Sequence, residues 1–348
     1  MSPAKRFSPP ANNPADRRRA VTAPSPESRP ASDPTGRLDA CRAGSLAQLV
    51  EGCVLPDPGS GATVQRFAAL TAVSAGSLSL GRLFEGHADG RSILREAGVD
   101  PPAGALAVWA SEAPHQDPVL LESATDGLFI SGEKRFCSGA TMVRSALVTV
   151  RTEDDEDALV LVDLGSPAVV IADPEWAGLG MRGPDTRTVR FDRAPVTARV
   201  GPSRWYLDRP GFWHGAVGVA ACWMGGAEGL ARTMRISISD EPHALADLGA
   251  VEAELHAMRA VLAAAAGEID ADPVDCAAAH QRALAVRATI ERGCRAVVDQ
   301  VTAGLGPRAL AFDRDHSQRV ADLQVYLGQH HGRRDLEQLG RLVREPPC

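Results

Sequence analysis

Gly132-Glu133-Lys134-Arg135-Phe136-Cys137-Ser138-Gly139-Ala140 is the stretch that decides how this chain is read. A second stretch, Trp176-Ala177-Gly178-Leu179-Gly180-Met181-Arg182-Gly183, closes in Thr188-Val189-Arg190-Phe191-Asp192. Around and between them run short segments rich in β-branched residues. They include Leu128-Phe129-Ile130, Ala146-Leu147-Val148-Thr149-Val150, Leu159-Val160-Leu161-Val162 and Ala168-Val169-Val170-Ile171. Asp126-Gly127, Gly165-Ser166-Pro167 and the acidic run 153–157 separate them as turn signals, the last reading as a hairpin tip. Strands at this spacing predict an antiparallel β-domain, a small barrel or sandwich, over residues 105–200.

Outward from this centre the pattern becomes helical. Near Trp213 the apolar period changes from 2 to 3.6. Ala216–Arg235, Leu245–Ile269, Pro273–Ala303 and Arg314–Val343 then predict four long antiparallel helices, a bundle over 201–345. The third opens with Pro273 directly after Asp272, a favourable helix start. On the N-terminal side, residues 37–104 predict a small helical region: Leu38–Val50, a longer helix over Val64–Phe84, and a short one over Arg91–Ala97 ending at Gly98. Residues 1–36, with Pro9-Pro10 and Arg17-Arg18-Arg19, are too polar and proline-rich to bury a core and are expected to be a disordered tail. The fold class expected is α+β: helices, a central antiparallel β-domain, then a four-helix bundle.

Composition excludes several classes. Hydrophobic residues make up 44% and charged residues 23% of the 348, ordinary for a globular chain. The formal charge of −7 argues against nucleic acid as a partner, since no basic cluster compensates it. Seven cysteines are scattered without a C-x-x-C pair, which reads as reduced core thiols with no metal site. No apolar run is long enough for a membrane span, and the N-terminal stretch lacks the apolar core of a secretory signal. A cytoplasmic location is expected.

In order of regions and in its two central segments, the chain resembles the acyl-CoA dehydrogenase family over roughly residues 38–345. Gly132–Ala140 is similar to that family's G-x-K-x-W-I-T-N-G segment. Gly180-Met181-Arg182 with Val189-x-Phe191 is similar to its G-(M/L)-R … V-x-F pattern. The resemblance implies a flavin: FAD as the family's usual form, with FMN also open. It places Phe136 beside the isoalloxazine ring, where the family has Trp, and the Ser138 hydroxyl at the ring edge. A turn at Ser138-Gly139 lets both reach the ring. Upstream, Ser111-Glu112 stands where the family's T-E-P segment binds flavin, a weak match. Gly304 and Gly306 are similar to the family's G-G-x-G loop, whose small residues admit a neighbouring subunit's nucleotide. A Gly-x-Gly after a helix is also a common C-cap, and both readings stand.

Two departures shape the functional expectation. The family's R-x-x-F-G, whose Arg pairs with FAD phosphates, is replaced by Arg235-Ile236-Ser237-Ile238, so Arg235 is the remaining candidate. The family's catalytic Glu, needed to remove an α-proton while hydride leaves to the flavin, is missing from both of its usual positions. Counting from Asp322 puts Gln329 or His330 in its place, and the first-helix alternative falls near Gly215. His330 is therefore the expected proton-transfer residue, since histidine titrates near neutrality. The implied activity is oxidation of the CH–CH group of an acyl thioester or related small molecule by a homodimer or homotetramer. The alternatives are a reduced-flavin-dependent monooxygenase on the same fold, where a polar proton donor suffices, and a catalytically degenerate relative.

Overall fold

A computed structural model describes residues 45–345. The expected N-terminal tail and residues 37–44 of the first helical region lie outside the described residues. Among the described residues three helices come first: α1 (Leu46–Gly52), α2 (Thr63–Gly76) and α3 (Leu78–Glu96). Here the structure corrects the sequence reading. The expected 64–84 helix breaks at Ser77, and its second part runs on through the expected 91–97 helix. Ser77 is extended (φ −149°, ψ 116°) and its hydroxyl accepts from the Leu80 N–H, which ends one helix and caps the next. The break folds α3 back on α2, and Gly81 permits the close approach: a Cβ there would lie 2.0 Å from Ser74 Oγ.

The strands are β1 (Leu106–Trp109), β2 (Leu120–Ala124), β3 (Gly127–Cys137), β4 (Ser145–Arg151), β5 (Asp157–Asp163), β6 (Val169–Ile171) and β7 (Arg187–Arg199). They form one sheet in the order β1-β4-β2-β3-β7-β5, with β6 on β7 and a further β4–β5 pairing that closes the path into a ring. The sheet is mixed, which corrects the all-antiparallel expectation. β1 runs parallel to β4 from Leu106↔Ser145 to Trp109↔Val148, and β2 meets β4 in parallel at Leu120↔Arg151. The β2–β3 hairpin lies between β1 and β4 in the chain, giving the long connection that a parallel pair needs. β3 carries a bulge against β7 between Lys134 and Cys137. Phe136, at φ 59°, is the residue turned out by it.

The C-terminal part holds α4 (Trp205–Asp208), α5 (Pro210–Ser237), α6 (Pro242–Ala271), α7 (Cys276–Phe312), α8 (Arg314–Leu327) and α9 (Arg333–Arg344). Asp275 caps α7 through the Ala278 N–H, and Gly306 (φ 68°, ψ −178°) kinks it one residue before Pro307. The last expected helix is two. After Leu327 the N–H groups of Gly328, Gln329 and His330 turn back to the carbonyls of Val325, Tyr326 and Leu327 at 3.0–3.1 Å. Gly332 at φ 58° then redirects the chain. This break, invisible in the apolar pattern, is what seats His330.

The second signature segment docks on α8. The Met181 N–H donates to Asp322 Oδ1 at 2.6 Å, and Gln318 Nε2 donates to the same oxygen at 2.8 Å. A Cβ on Gly180 would lie 2.1 Å from the Ala321 carbonyl oxygen, so glycine is required by this contact. The described residues form one compact unit. Cys137, Cys222 and Cys294 are buried free thiols and Cys276 an exposed one. Cys53 is disulfide-bonded, which corrects the expectation of reduced thiols for that position. Among the described residues no helix is long and apolar enough to cross a membrane.

Candidate active site

The expected ring-facing residues lie at the end of β3. The bulge turns Phe136 outward, and it is 49% exposed although large and apolar. An aromatic held in the left-handed region and left half in solvent is uncommon. Ser138 follows in a tight turn, its N–H donating to the Phe136 carbonyl at 3.1 Å. Its hydroxyl pairs with Thr186 Oγ1 at 3.0 Å, and its carbonyl accepts from Trp109 Nε1 at 3.0 Å. Gly139 packs that turn against α3, since a Cβ there would lie 3.0 Å from Leu83 Cδ2. Ser138 and Arg82 consequently line one narrow crevice.

The remaining signature residues of this stretch support the sheet. Lys134 is buried and donates to Thr149 Oγ1 at 2.8 Å; burial lowers its pKa from the usual lysine range. Gly132, at φ 129°, lies against Val119.

The helical core is built around the fully buried indole of Trp223 on α5. Tyr326, from the end of α8, meets it edge-on with ring centroids 6.2 Å apart. His330 meets it edge-on at 6.5 Å. The Arg287 guanidinium of α7 lies 4.5 Å from the ring centroid while donating to the Ala216 and Gln329 carbonyls. Trp223 Nε1, Tyr326 Oη and His330 Nε2 are buried without a hydrogen-bond partner, uncommon for buried polar atoms.

His330 itself is in the turn after α8 with its side chain 3% exposed. Its Nδ1 accepts from the Gly332 N–H at 3.3 Å, which assigns the neutral ring's proton to Nε2. That Nε2 stands 3.8 Å from Asp335 Oδ2. Burial pushes the His330 pKa down, with Asp335 and Glu291 opposing. His331 is the exposed neighbour, and it holds Asp335 through its own N–H and Nδ1 at 3.1 and 3.2 Å.

Other expected positions have different surroundings. Ser111 is exposed in the segment after β1. Gly304 is explained by packing, as a Cβ would lie 2.5 Å from Met234 Cε, and Gly306 by the kink of α7. Arg235 is held by Glu252 and by Glu228, both from this chain.

One residue escaped sequence reasoning. Glu85 of α3 is 4% exposed and takes Arg82 Nη1 at 2.9 Å on one oxygen. Burial pushes its carboxyl up to about 7 against the pull of Arg82, Arg66 and Arg287. The available signal was the Arg-x-x-Glu spacing on a helix punctuated by Gly81, Gly86 and Gly90, which are small enough to bury that face.

No family model and no curated protein matches this chain. Solved structures do. FMN-bound TdsC from Paenibacillus sp. A11-2 is 18% identical, covers 89% of this chain and 90% of its own, and superposes with a TM-score of 0.74. KijD3 in complex with FMN and a dTDP-linked sugar is 18% identical over 89% of this chain and 86% of its own, at 0.73. The methanesulfinate monooxygenase MsuC from Pseudomonas fluorescens is 16% identical over 90% of both chains, at 0.72. TdsC is a dibenzothiophene monooxygenase. At this identity the likeness establishes the fold, which is acyl-CoA dehydrogenase-like.

Proposed function

We propose that this chain is a flavin-dependent monooxygenase that takes FMN and a small, largely apolar substrate. The observation that carries the reading is the seat of His330. Just after α8, where the resembled family needs a carboxylate, stands a buried imidazole whose Nε2 lacks a hydrogen-bond partner and whose ring meets the Trp223 indole edge-on. A neutral imidazole N–H can give or hold a proton there, but it is a weak replacement for a carboxylate that must strip an α-proton.

The residues fit a flavin. Phe136 offers a bare aromatic face, and the Ser138 and Thr186 hydroxyls stand beside it. Reduced FMN bound there would supply the electrons for dioxygen activation. The chain's part is to bind, exclude water and manage protons. Trp223 and Tyr326 close the core side, and His330 holds a proton at Nε2. FMN is favoured over FAD by the bundle: Arg235 is committed to Glu228 and Glu252, while Gly304 and Gly306 serve packing and the kink. A homodimer or homotetramer through the bundle belongs to the same proposal. Phe312, 84% exposed at the end of α7, and the α7–α8 groove of about 600 Å³ are surfaces that suit a second copy.

Acyl-thioester dehydrogenation is the second reading, favoured by one observation, the buried carboxylate of Glu85. Oxygen uptake separates the two. Supplied with reduced FMN, the protein should consume dioxygen and oxygenate apolar heteroaromatic or sulfur compounds in a screening panel. Anaerobic bleaching of bound oxidised flavin by an acyl thioester would establish the second reading instead.

A further inference from the structure

We propose that the trough between α2 and α6 is a second ligand site of this chain, for a small amphipathic acid with an apolar body and one carboxylate or sulfonate head. The proposal is independent of the flavin reading. The walls of the trough belong to α2, α5 and α6, and none of Phe136, Ser138, Trp223, Tyr326 and His330 lines it. Its volume is about 360 Å³, within the range of about 300–1,000 Å³ usual for small-molecule sites.

Side-chain size explains why the trough exists. Two glycines of α5 let α2 lie close: a Cβ on Gly225 would be 2.4 Å from the Thr71 carbonyl oxygen, and one on Gly229 2.9 Å from the Ala75 carbonyl oxygen. On the side that lines the trough, α2 offers Ala68, Ala72 and Ala75, one stripe of its surface. Their methyl groups stop short of Leu262 across the gap on α6, which stays open above the buried Phe67 and Met224. Val64, one turn before Ala68, also lines the trough and is 51% exposed. The body of an occupant must therefore be apolar.

The head group follows from the charges on the rim. Glu228 and Arg232 stand one turn apart on α5, and Arg259 lines the trough from α6. Arg259 donates twice to Glu228 Oε1, its Nε at 2.8 Å. Arg235 lies 3.8 Å from Glu228 Oε2 and is also paired with Glu252. Three arginines thus meet two glutamates. The surplus cation is Arg232, which makes no ion pair or side-chain hydrogen bond among the described residues. In a chain of formal charge −7, an uncommitted guanidinium on an apolar trough favours an anionic head on an apolar body. A plain hydrocarbon leaves Arg232 unused, and an amine is repelled by it.

Calorimetric titration of the full chain with octanoate, octanol and octylamine, equal in tail and different in head, tests both halves of the proposal. Octanoate should bind saturably with one site per chain, roughly fivefold tighter than octanol, and octylamine should bind weakest. Arg232→Glu should weaken octanoate roughly tenfold and leave octanol unchanged. Ala72→Phe fills the trough and should abolish binding of octanoate and octanol. Ala68→Phe, at an exposed position of the same wall, should do so too, and thermal melting followed by circular dichroism shows which variants are folded. Saturating FMN and Phe136→Ala should both leave octanoate binding intact. Octanoate bound equally by the folded phenylalanine variants, indifference to the head group, or displacement by FMN overturns the proposal. So does a wild type that binds no octanoate, and sedimentation then shows whether a second copy covers the trough. If the chain binds no FMN, the functional reading falls while these titrations still decide the trough.

Discussion

Replacing Glu85 by glutamine removes one titratable carboxyl from the helical core and leaves Arg82 facing a neutral amide at every pH. Arg82 stays protonated throughout the accessible range, so the carboxyl is the member of the pair that titrates. The titration is not constant. The folded carboxyl titrates at about 7 against 4.5 for an unperturbed one. Between those values the folded chain binds a proton that the unfolded chain has already released, so stability falls as pH rises. At about 1.4 kcal/mol per unit, a gap of about 2.5 units costs wild type about 3 kcal/mol between pH 4.5 and 7. Urea unfolding of wild type and Glu85→Gln, measured across that range, isolates the term as a difference of slopes. The wild-type advantage should be largest below about 4.5, decline through the window and level off above about 7. Parallel curves would refute the claim that Glu85 carries a proton in the folded state near neutral pH. A wild-type advantage that grows with pH would mean that Arg82 dominates and the carboxylate is ionised throughout.

Other outcomes follow from particular contacts. Phe136→Ala should weaken FMN binding roughly fivefold, equivalent to about 1 kcal/mol of aromatic contact, with little change in thermal stability; Phe136→Gly should be at least as stable as Phe136→Ala, because glycine relieves the positive φ. Asp322→Ala strands the buried Met181 N–H and should cost about 3 kcal/mol in denaturant unfolding, with faster limited proteolysis of the 176–183 segment. Gly180→Ala drives a methyl group into the Ala321 carbonyl and should cost about 1–3 kcal/mol. His330→Ala should slow turnover by about 10²–10⁴-fold while His331→Ala leaves most of the rate, and equal effects would remove His330 from its role.

The β-domain was readable because its strands bury alternate or continuous β-branched residues between clear turn signals, as in Ala146–Val150 against Leu159–Val162. Its parallel pairing was not, because strand direction depends on which hairpin the chain crosses and leaves no mark in a four-residue run such as Leu106–Trp109. The long helices were readable from their apolar period, but two breaks were hidden. Ser77 interrupts an apolar face without disturbing its spacing, and Gly328-Gln329-His330-His331-Gly332 reads as a polar helix end until the positive φ of Gly332 is seen. The two signature segments pointed to the right part of the fold, yet Gly132, Lys134, Gly180 and Met181 serve sheet packing and docking more directly than ligand contact. Glu85 stayed hidden because a charged residue on a helix is ordinarily solvated. Only the fold-back of α3, with three glycines on it, shows that this carboxylate is enclosed.

The account stands on an FMN site between the β3 tip and the helical core. Equilibrium titration of FMN into the purified full chain, oxidised and then reduced under nitrogen, followed by flavin fluorescence with FAD as competitor, reads it most directly. The prediction is saturable one-to-one binding of FMN, weaker in Phe136→Ala, with FAD a poor competitor. No binding in either redox state, or binding indifferent to Phe136, would contradict it.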